Sequence, residues 1–295
     1  MGAIVYYLTL PFIYLVSYLP FRAMYLLSDF LYILVYKVFG YRKKVVTENL
    51  EKSFPEKSAS EIDKIRRDFY HYLCDLGLES IKTLSISPAT LQKHFRHADI
   101  SLLERYYRNG QSVILVMGHL GNWELGGAYF SLLGIHQPFG IYHPLRNRHF
   151  DKLMDKMRTR LGAGTYPMKS TFKGMLKNRN KLTATTFIAD QTPTPGNAYW
   201  MTFLNQDTAV FKGTEVIARK FDYPIFYISV IREKRGHYMV HNELLVEHPG
   251  KQPENLITET HTKRLERDII NHPETWLWSH RRWKHKRPGE HLNNN

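Results

Sequence analysis

Three short apolar runs, rich in β-branched and aromatic side chains, constrain this chain more than any other feature. They are Ser112 to Met117, Leu182 to Ala189 and Pro224 to Ile231. Each is too short for an ordinary helix, and each is apolar without strict alternation, as expected of a strand buried on both faces of a sheet. A fourth strand is expected at Tyr238 to Val246. Stretches with helical spacing lie between the runs: Trp123 to Leu133, Asp151 to Leu161, Ser170 to Asn178 and Gly213 to Phe221. Strands alternating with helices predict an α/β fold, a central mainly parallel or mixed sheet flanked by helices. Ligands of such sheets bind beyond the carboxyl ends of the strands, where Gly118-His119 and Asp190-Gln191 both fall.

Upstream the pattern is different. Met1 to Phe21 carries no charge, and the apolar character continues to about Phe39, interrupted only by Arg22, Asp29 and Lys37. The first run has about the length that crosses a bilayer core, and it lacks the basic start and cleavage site of a signal peptide. Pro11 and Pro20 are expected to kink or end helices. The segment therefore reads either as one span or as two helices lying partly in one leaflet. The basic cluster from Tyr41 to Lys44 marks the cytoplasmic side by the positive-inside tendency. This divides the chain into a membrane-associated hydrophobic segment, 1–44, and a larger domain, 45–295, on the cytoplasmic face of the cell membrane. That domain opens with an amphipathic helix from Glu61 to about Thr83, capped by Ser58 or Ser60, with Ile62, Ile65, Phe69, Tyr72 and Leu76 facing inward. A short helix follows from Pro88 to Phe95, and only the polar end at Asn293 to Asn295 is of low complexity.

Charge narrows the partners. Lys and Arg number 41 against 27 Asp and Glu, a net charge of +14 that suits nucleic acid, an anionic membrane or a phosphorylated substrate. Cys74 is the single cysteine, which excludes an internal disulfide and a cysteine zinc site. Neither His-Glu-x-x-His nor Gly-x-Ser-x-Gly occurs, so zinc hydrolysis and a serine nucleophile elbow lack their motifs.

What remains is His119-Leu-Gly-Asn-Trp-Glu124. A histidine at a strand end can project into a cleft, and Glu124 five positions on could fold back to its other ring nitrogen. An imidazole held by a carboxylate is a general base of fixed tautomer, suited to taking a proton from an alcohol that attacks a thioester. Gly121 would allow close backbone approach, and amides opening the next helix could stabilise an oxyanion.

The segment from Gly118 to Glu124 resembles the His-x4-acidic motif of the lysophospholipid acyltransferase superfamily. It is similar in particular to the lipid A biosynthesis acyltransferases, which add lauroyl or myristoyl chains. Tyr142 to Asn147, Met157 to Arg160, Ala189 to Gln191 and Pro273 to Lys284 agree in order and spacing, so the resemblance covers nearly the whole chain. It implies His119 as the base with Glu124 as its orienting partner, and Arg158 binding a phosphate or holding the catalytic carboxylate. Asp190 would support the site, and Arg160 and Asn122 join Arg158 and Asp190 as substrate-binding residues. His143 stands where the family often has Arg, which makes a phosphate contact there weaker or pH-dependent, with Arg146 near enough to substitute.

The implied donor is an acyl carrier protein or coenzyme A thioester and the implied acceptor a hydroxyl of a lipid A precursor, at the inner membrane. No metal or prosthetic group is needed. Another lysolipid or amino-acid lipid as acceptor, or water, as in a hydrolase, would use the same dyad. The segment from Trp276 to Arg287 carries Trp276, Trp278, Trp283 and five Lys or Arg from Arg281 to Arg287. It reads as a surface at lipid headgroups rather than as a nucleic-acid platform.

Overall fold

The structure, a computed structural model, describes residues 2–288; the polar end at Asn293 to Asn295 lies outside them. Two apolar helices open the chain, α1 (Gly2–Tyr18) and α2 (Phe21–Tyr32), the second continuing as a π-helical turn, Ile33–Val38. Pro20 stands at the break between them, while Pro11 is accommodated inside α1. Helices α3 (Lys43–Ser53) and α4 (Ala59–Lys82) follow. Ser58 caps α4 in a full capping box with Glu61, satisfying two amides that the first turn leaves without partners. Ile62, Phe69, Tyr72 and Leu76 are buried as their spacing predicts, and Ile65 is half-buried.

The remainder alternates strand and helix: α5 (Pro88–His94), β1 (Phe95–His97), α6 (Ser101–Arg108), β2 (Val113–Met117), α7 (Trp123–Phe130), β3 (Gln137–Tyr142), α8 (Arg148–Thr159), β4 (Gly164–Pro167), α9 (Thr171–Lys177) and β5 (Thr183–Ile188). A hairpin of β6 (Ala198–Phe203) and β7 (Gln206–Phe211) stands apart, then come α10 (Gly213–Phe221), β8 (Ile225–Lys234), β9 (His237–Val246) and α11 (Leu256–Asn271). The seven-stranded sheet runs β1-β9-β8-β2-β5-β3-β4. Every neighbouring pair is parallel except β8 with β9, so the sheet is mixed and mainly parallel.

Side chains on β2 alternate between two cores. Ile114 and Val116 face α9, α10 and α11 together with Phe54 and Trp278, whereas Val113, Leu115 and Met117 face α5, α6 and α7. A third cluster joins Leu153 and Met157 of α8 to Leu10, Ile13 and Tyr14 of α1.

The N-terminal helices thus pack on the sheet domain, and buried polar contacts fasten them. Ser28 on α2 donates to Asp75 on α4 at 2.6 Å, and Arg232 and Arg235 reach the same carboxylate at 2.6 and 2.7 Å. Fully buried Glu79 accepts from Tyr25 on α2, Tyr238 on β9 and Asn122 before α7, each at 2.7 Å. Lys82 donates to the carbonyls of Ser17 and Leu19 at the end of α1. The outward faces stay apolar: Ile4, Leu8, Phe12 and Leu15 on α1, then Leu26 and Phe30 on α2, are exposed. Among the described residues no single helix is long and apolar enough to cross a membrane; Phe21–Val38 and Lys43–Ser53 pass that test only as a pair bent by 86°.

The C-terminal segment departs from its sequence reading. Trp276 and Trp278 are 2% and 0% exposed, and Arg282 is buried with them. Leu120 pairs with Trp276 in a β-bridge, so the segment braces the turn after β2 instead of presenting a Trp-rich surface. Spacing alone could not separate these tryptophans from interfacial ones, because both positions favour a large ring with one polar handle.

Candidate active site

Register explains the centre of the site. β2 and β5 are parallel neighbours, with Met117 opposite Ile188. Two residues further along each strand, His119 and Asp190 come side by side at the carboxyl edge. The Nδ1 of His119 lies 2.6 Å from Asp190 Oδ1, and the His119 amide donates to Oδ2 at 2.7 Å. Trp276 Nε1 donates to the same Oδ2 at 2.8 Å.

An ionised carboxylate only accepts, so Nδ1 carries a proton, and in the neutral ring the lone pair is left on Nε2. Burial alone would raise the Asp190 carboxyl, but the His119 charge, the ring and backbone donors of His119 and the Trp276 indole outweigh it and hold the group at about 2. Asp190 is therefore an anion throughout the physiological range.

The orienting partner differs from the sequence expectation. Glu124 lies in the first turn of α7 and does not reach His119; its carboxylate takes a two-pronged bond from Arg158 on α8, at 2.6 Å from Nη2 and 3.1 Å from Nε. Asn122 caps α7, accepting from the Leu125 amide at 2.9 Å and turning its side-chain amide toward Glu79. Capping at Asn122 starts the helix at once, so Glu124 leaves with α7 instead of returning to the imidazole.

Two expected substrate contacts have other employment. Asn122 is fully buried in its cap and network. Arg160 is turned toward α4, donating to the carbonyls of Thr83 and Ile86, and so ties α8 down instead of facing the cleft. Arg158, two positions earlier, is the arginine that faces it. His143 is exposed at the cleft mouth, its Nδ1 3.0 Å from the Pro144 carbonyl oxygen.

The turn between β2 and α7 is held tightly. Gly121 has φ +62°, and a Cβ there would lie 1.8 Å from the Val230 carbonyl oxygen on β8. Its own carbonyl accepts from Tyr72 at 2.6 Å, and its amide donates to Thr275 at 3.1 Å. Arg282 is the residue that sequence reasoning missed, buried beside Asp190 on a small void that both line, its guanidinium pulled down to about 10 by burial. Its place within the matched segment from Pro273 to Lys284 was the available signal.

In front of the imidazole opens a cavity of about 470 Å³. His119, Trp123, Glu124, Arg158 and Gln191 form its polar end, and Leu115, Met117, Phe130, Ile228, Val230 and Val240 its apolar depth. The Gln191 amide nitrogen stands 3.5 Å from His119 Nε2. Gly140 contributes no side chain, and a Cβ there would meet nothing within 4 Å. A lone-pair nitrogen facing a deep, mostly apolar pocket matches a proton-transfer centre serving a long aliphatic chain.

Comparison with known proteins agrees. The profile of the family described as bacterial lipid A biosynthesis acyltransferase matches residues 2–285. The lipid A biosynthesis palmitoleoyltransferase of Escherichia coli K12 is 24% identical over 253 residues, 84% of this chain and 81% of that protein. The lipid A biosynthesis lauroyltransferase of the same organism is 27% identical over 287 residues, 94% and 90% of the two chains. A lipid A biosynthesis acyltransferase of Haemophilus influenzae is 25% identical over 261 residues, 86% and 81%. With its profile matched from end to end of the fold, the chain belongs to the bacterial lipid A biosynthesis acyltransferase family and is an acyltransferase.

Proposed function

We propose that the protein moves a fatty acyl group from the thioester of an acyl carrier protein to a hydroxyl of a lipid A precursor, at the cytoplasmic face of the inner membrane. The observation that carries this reading is the His119 ring, locked through Nδ1 by Asp190 with Nε2 facing the apolar cavity. Nε2 takes the proton of the acceptor hydroxyl as its oxygen attacks the thioester carbonyl. The tetrahedral adduct then collapses, the carbon–sulfur bond breaks, and the departing thiolate receives the proton back from His119. Asp190 stabilises the imidazolium in between.

Asn122 occupies the Leu125 amide, which leaves the Trp123 and Glu124 amides of the first turn of α7 to face the developing oxyanion. Glu124 and Arg158 give the cleft a fixed polar wall that orients the acceptor. The thioester is already activated, so this reading calls on no metal or prosthetic group. The exposed apolar stripes of α1 and α2 support a seat in one leaflet, with the basic residues Arg42, Lys43 and Lys44 at its headgroups.

His119→Ala tests the mechanism. Transfer should fall by about 10²–10⁴-fold, the usual worth of a general base, with thermal unfolding little changed. Mass spectrometry of the lipid product reads the outcome. Full activity in this variant would overturn the role of His119, and free fatty acid without acylated lipid from the wild type would replace transfer by hydrolysis.

Chain length offers a second test. Gly140 lines the cavity from β3 together with its neighbours Phe139 and Ile141, whose side chains also pack against the other core. Gly140→Leu has room to fold, and its side chain takes the volume that distal methylenes would fill. Each excluded methylene forgoes about 0.8 kcal/mol of burial, so preference among donor thioesters should shift to shorter chains. An unchanged preference across a donor series would place the acyl chain elsewhere.

A further inference from the structure

The rim of the cavity continues onto a surface that the chemistry above does not use. Met168 lines the cavity mouth and opens a stretch in which Met168, Phe172 and Leu176 recur every fourth residue, exposed at 47%, 41% and 42%. Residues four apart share a helix face, so Phe172 and Leu176 make an outward apolar stripe along α9, and Met168 stands exposed in the 3₁₀ turn, Met168–Ser170, that leads into it. Lys169, Lys173 and Lys177 keep the same spacing one position on and form a parallel exposed row. From Met168 to Lys181 there are five cations, counting Arg179 and Lys181, and no carboxylate. Lys220 of α10 adds another, its ammonium 5.2 Å from the Phe172 ring centre, and Val216 extends the exposed apolar area.

The position of this surface points to its partner. Met175 of α9 packs in the core with Ile114 and Val116, whereas α7 packs on the opposite face of the sheet with Leu115 and Met117. The lipid-facing stripe of α1 belongs to that opposite side, because α1 packs on α8 and α8 against α7. Across the sheet from α1, a basic row beside an apolar stripe suits an acidic helical protein better than lipid.

We propose that the α9 face docks the acidic carrier protein that delivers the acyl thioester, with the carrier's helix along Lys169, Lys173 and Lys177 and its acyl arm entering past Met168. The proposal rests on the carrier-borne donor of the proposed function. It gives the cavity two approaches, the acceptor from the side of α1 and the donor from the side of α9.

The test compares the full-length protein with K169E/K173E/K177E, using acyl carrier protein thioester and the matching acyl-pantetheine thioester as donors. Charge reversal should raise KM for the carrier-borne donor by about tenfold or more. It should leave kcat/KM for acyl-pantetheine within about twofold, and cosedimentation with anionic phospholipid vesicles unchanged. In the wild type the carrier KM alone should rise with salt. Unchanged carrier KM in the variant overturns the docking face, and so does a loss of vesicle binding without a carrier effect, which would make the row a membrane contact. If the wild type uses acyl-pantetheine as well as the carrier-borne thioester, the donor reading itself fails, whatever the variant does.

Discussion

Asp190→Asn should lower kcat by about 10²–10⁴-fold, while Glu124→Gln should cost far less. Asp190 receives three donors and offers none: the His119 ring at Oδ1, and the His119 amide and Trp276 indole at Oδ2. An asparagine has one oxygen for these positions. If it turns that oxygen to the two fixed donors, its NH₂ faces Nδ1 and drives the imidazole proton to Nε2, where the base is needed. If it turns the other way, an NH₂ confronts two N–H groups in a buried site, each unmet donor costing about 1–3 kcal/mol.

Either arrangement removes most of what a positioned base contributes, about 10²–10⁴-fold. Glu124 makes no hydrogen bond to the ring, and a glutamine can still accept from Arg158, so its loss weakens orientation alone. Steady-state kinetics, with imidazole nitrogen shifts to read the tautomer, decide the matter. A larger loss from Glu124→Gln than from Asp190→Asn would return the orienting role to Glu124.

The largest effect on stability should come from Gly121→Ala. The backbone there has φ +62°, which costs a residue with a Cβ about 1–2 kcal/mol. The added carbon would also lie 1.8 Å from a main-chain carbonyl of β8, which cannot swing aside as a flexible side chain would. β8 is paired on both edges, by β2 and β9. Relief requires moving the turn away from β8, which breaks the Tyr72 and Thr275 bonds and shifts His119. A loss of about 3–5 kcal/mol is expected, seen as a fall in Tm of about 10 °C or as insoluble protein. Gly127→Ala, in the same region with nothing within 4 Å of its added Cβ, should be nearly silent and serves as the control. A soluble Gly121→Ala variant with wild-type Tm would show that the turn is softer than its contacts require.

The sheet was legible in advance because its central strands are uniformly apolar, and Val113–Met117 could hardly be anything but a buried strand. The order of strands was not legible. Only adjacency of β2 and β5 brings His119 to Asp190 across seventy-one residues of chain, and nothing in either motif names the other. Proximity in sequence favoured Glu124, and the cap at Asn122 is what carries it off.

Helix α11 went unseen for a different reason. Its inward positions include Thr258, His261, Thr262 and Asp268, so the apolar periodicity that announces a helix is diluted on its buried face. The β6–β7 hairpin lies outside the main sheet and lacks the uniformly apolar run that marks the central strands.

Glu79 has a consequence for how such proteins can be rebuilt or diverge. Its carboxylate binds the second N-terminal helix through Tyr25 and the turn between β2 and α7 through Asn122 at once. A chain shortened to begin after α2, or one given another protein's N-terminal helices, would leave this enclosed acid short of a donor at the point where Asn122 needs it steady. The N-terminal helices and the turn after β2 are therefore expected to change together over evolutionary time. A chimera joined at residue 44 should recover activity only when the incoming helix supplies a hydroxyl where Tyr25 stood.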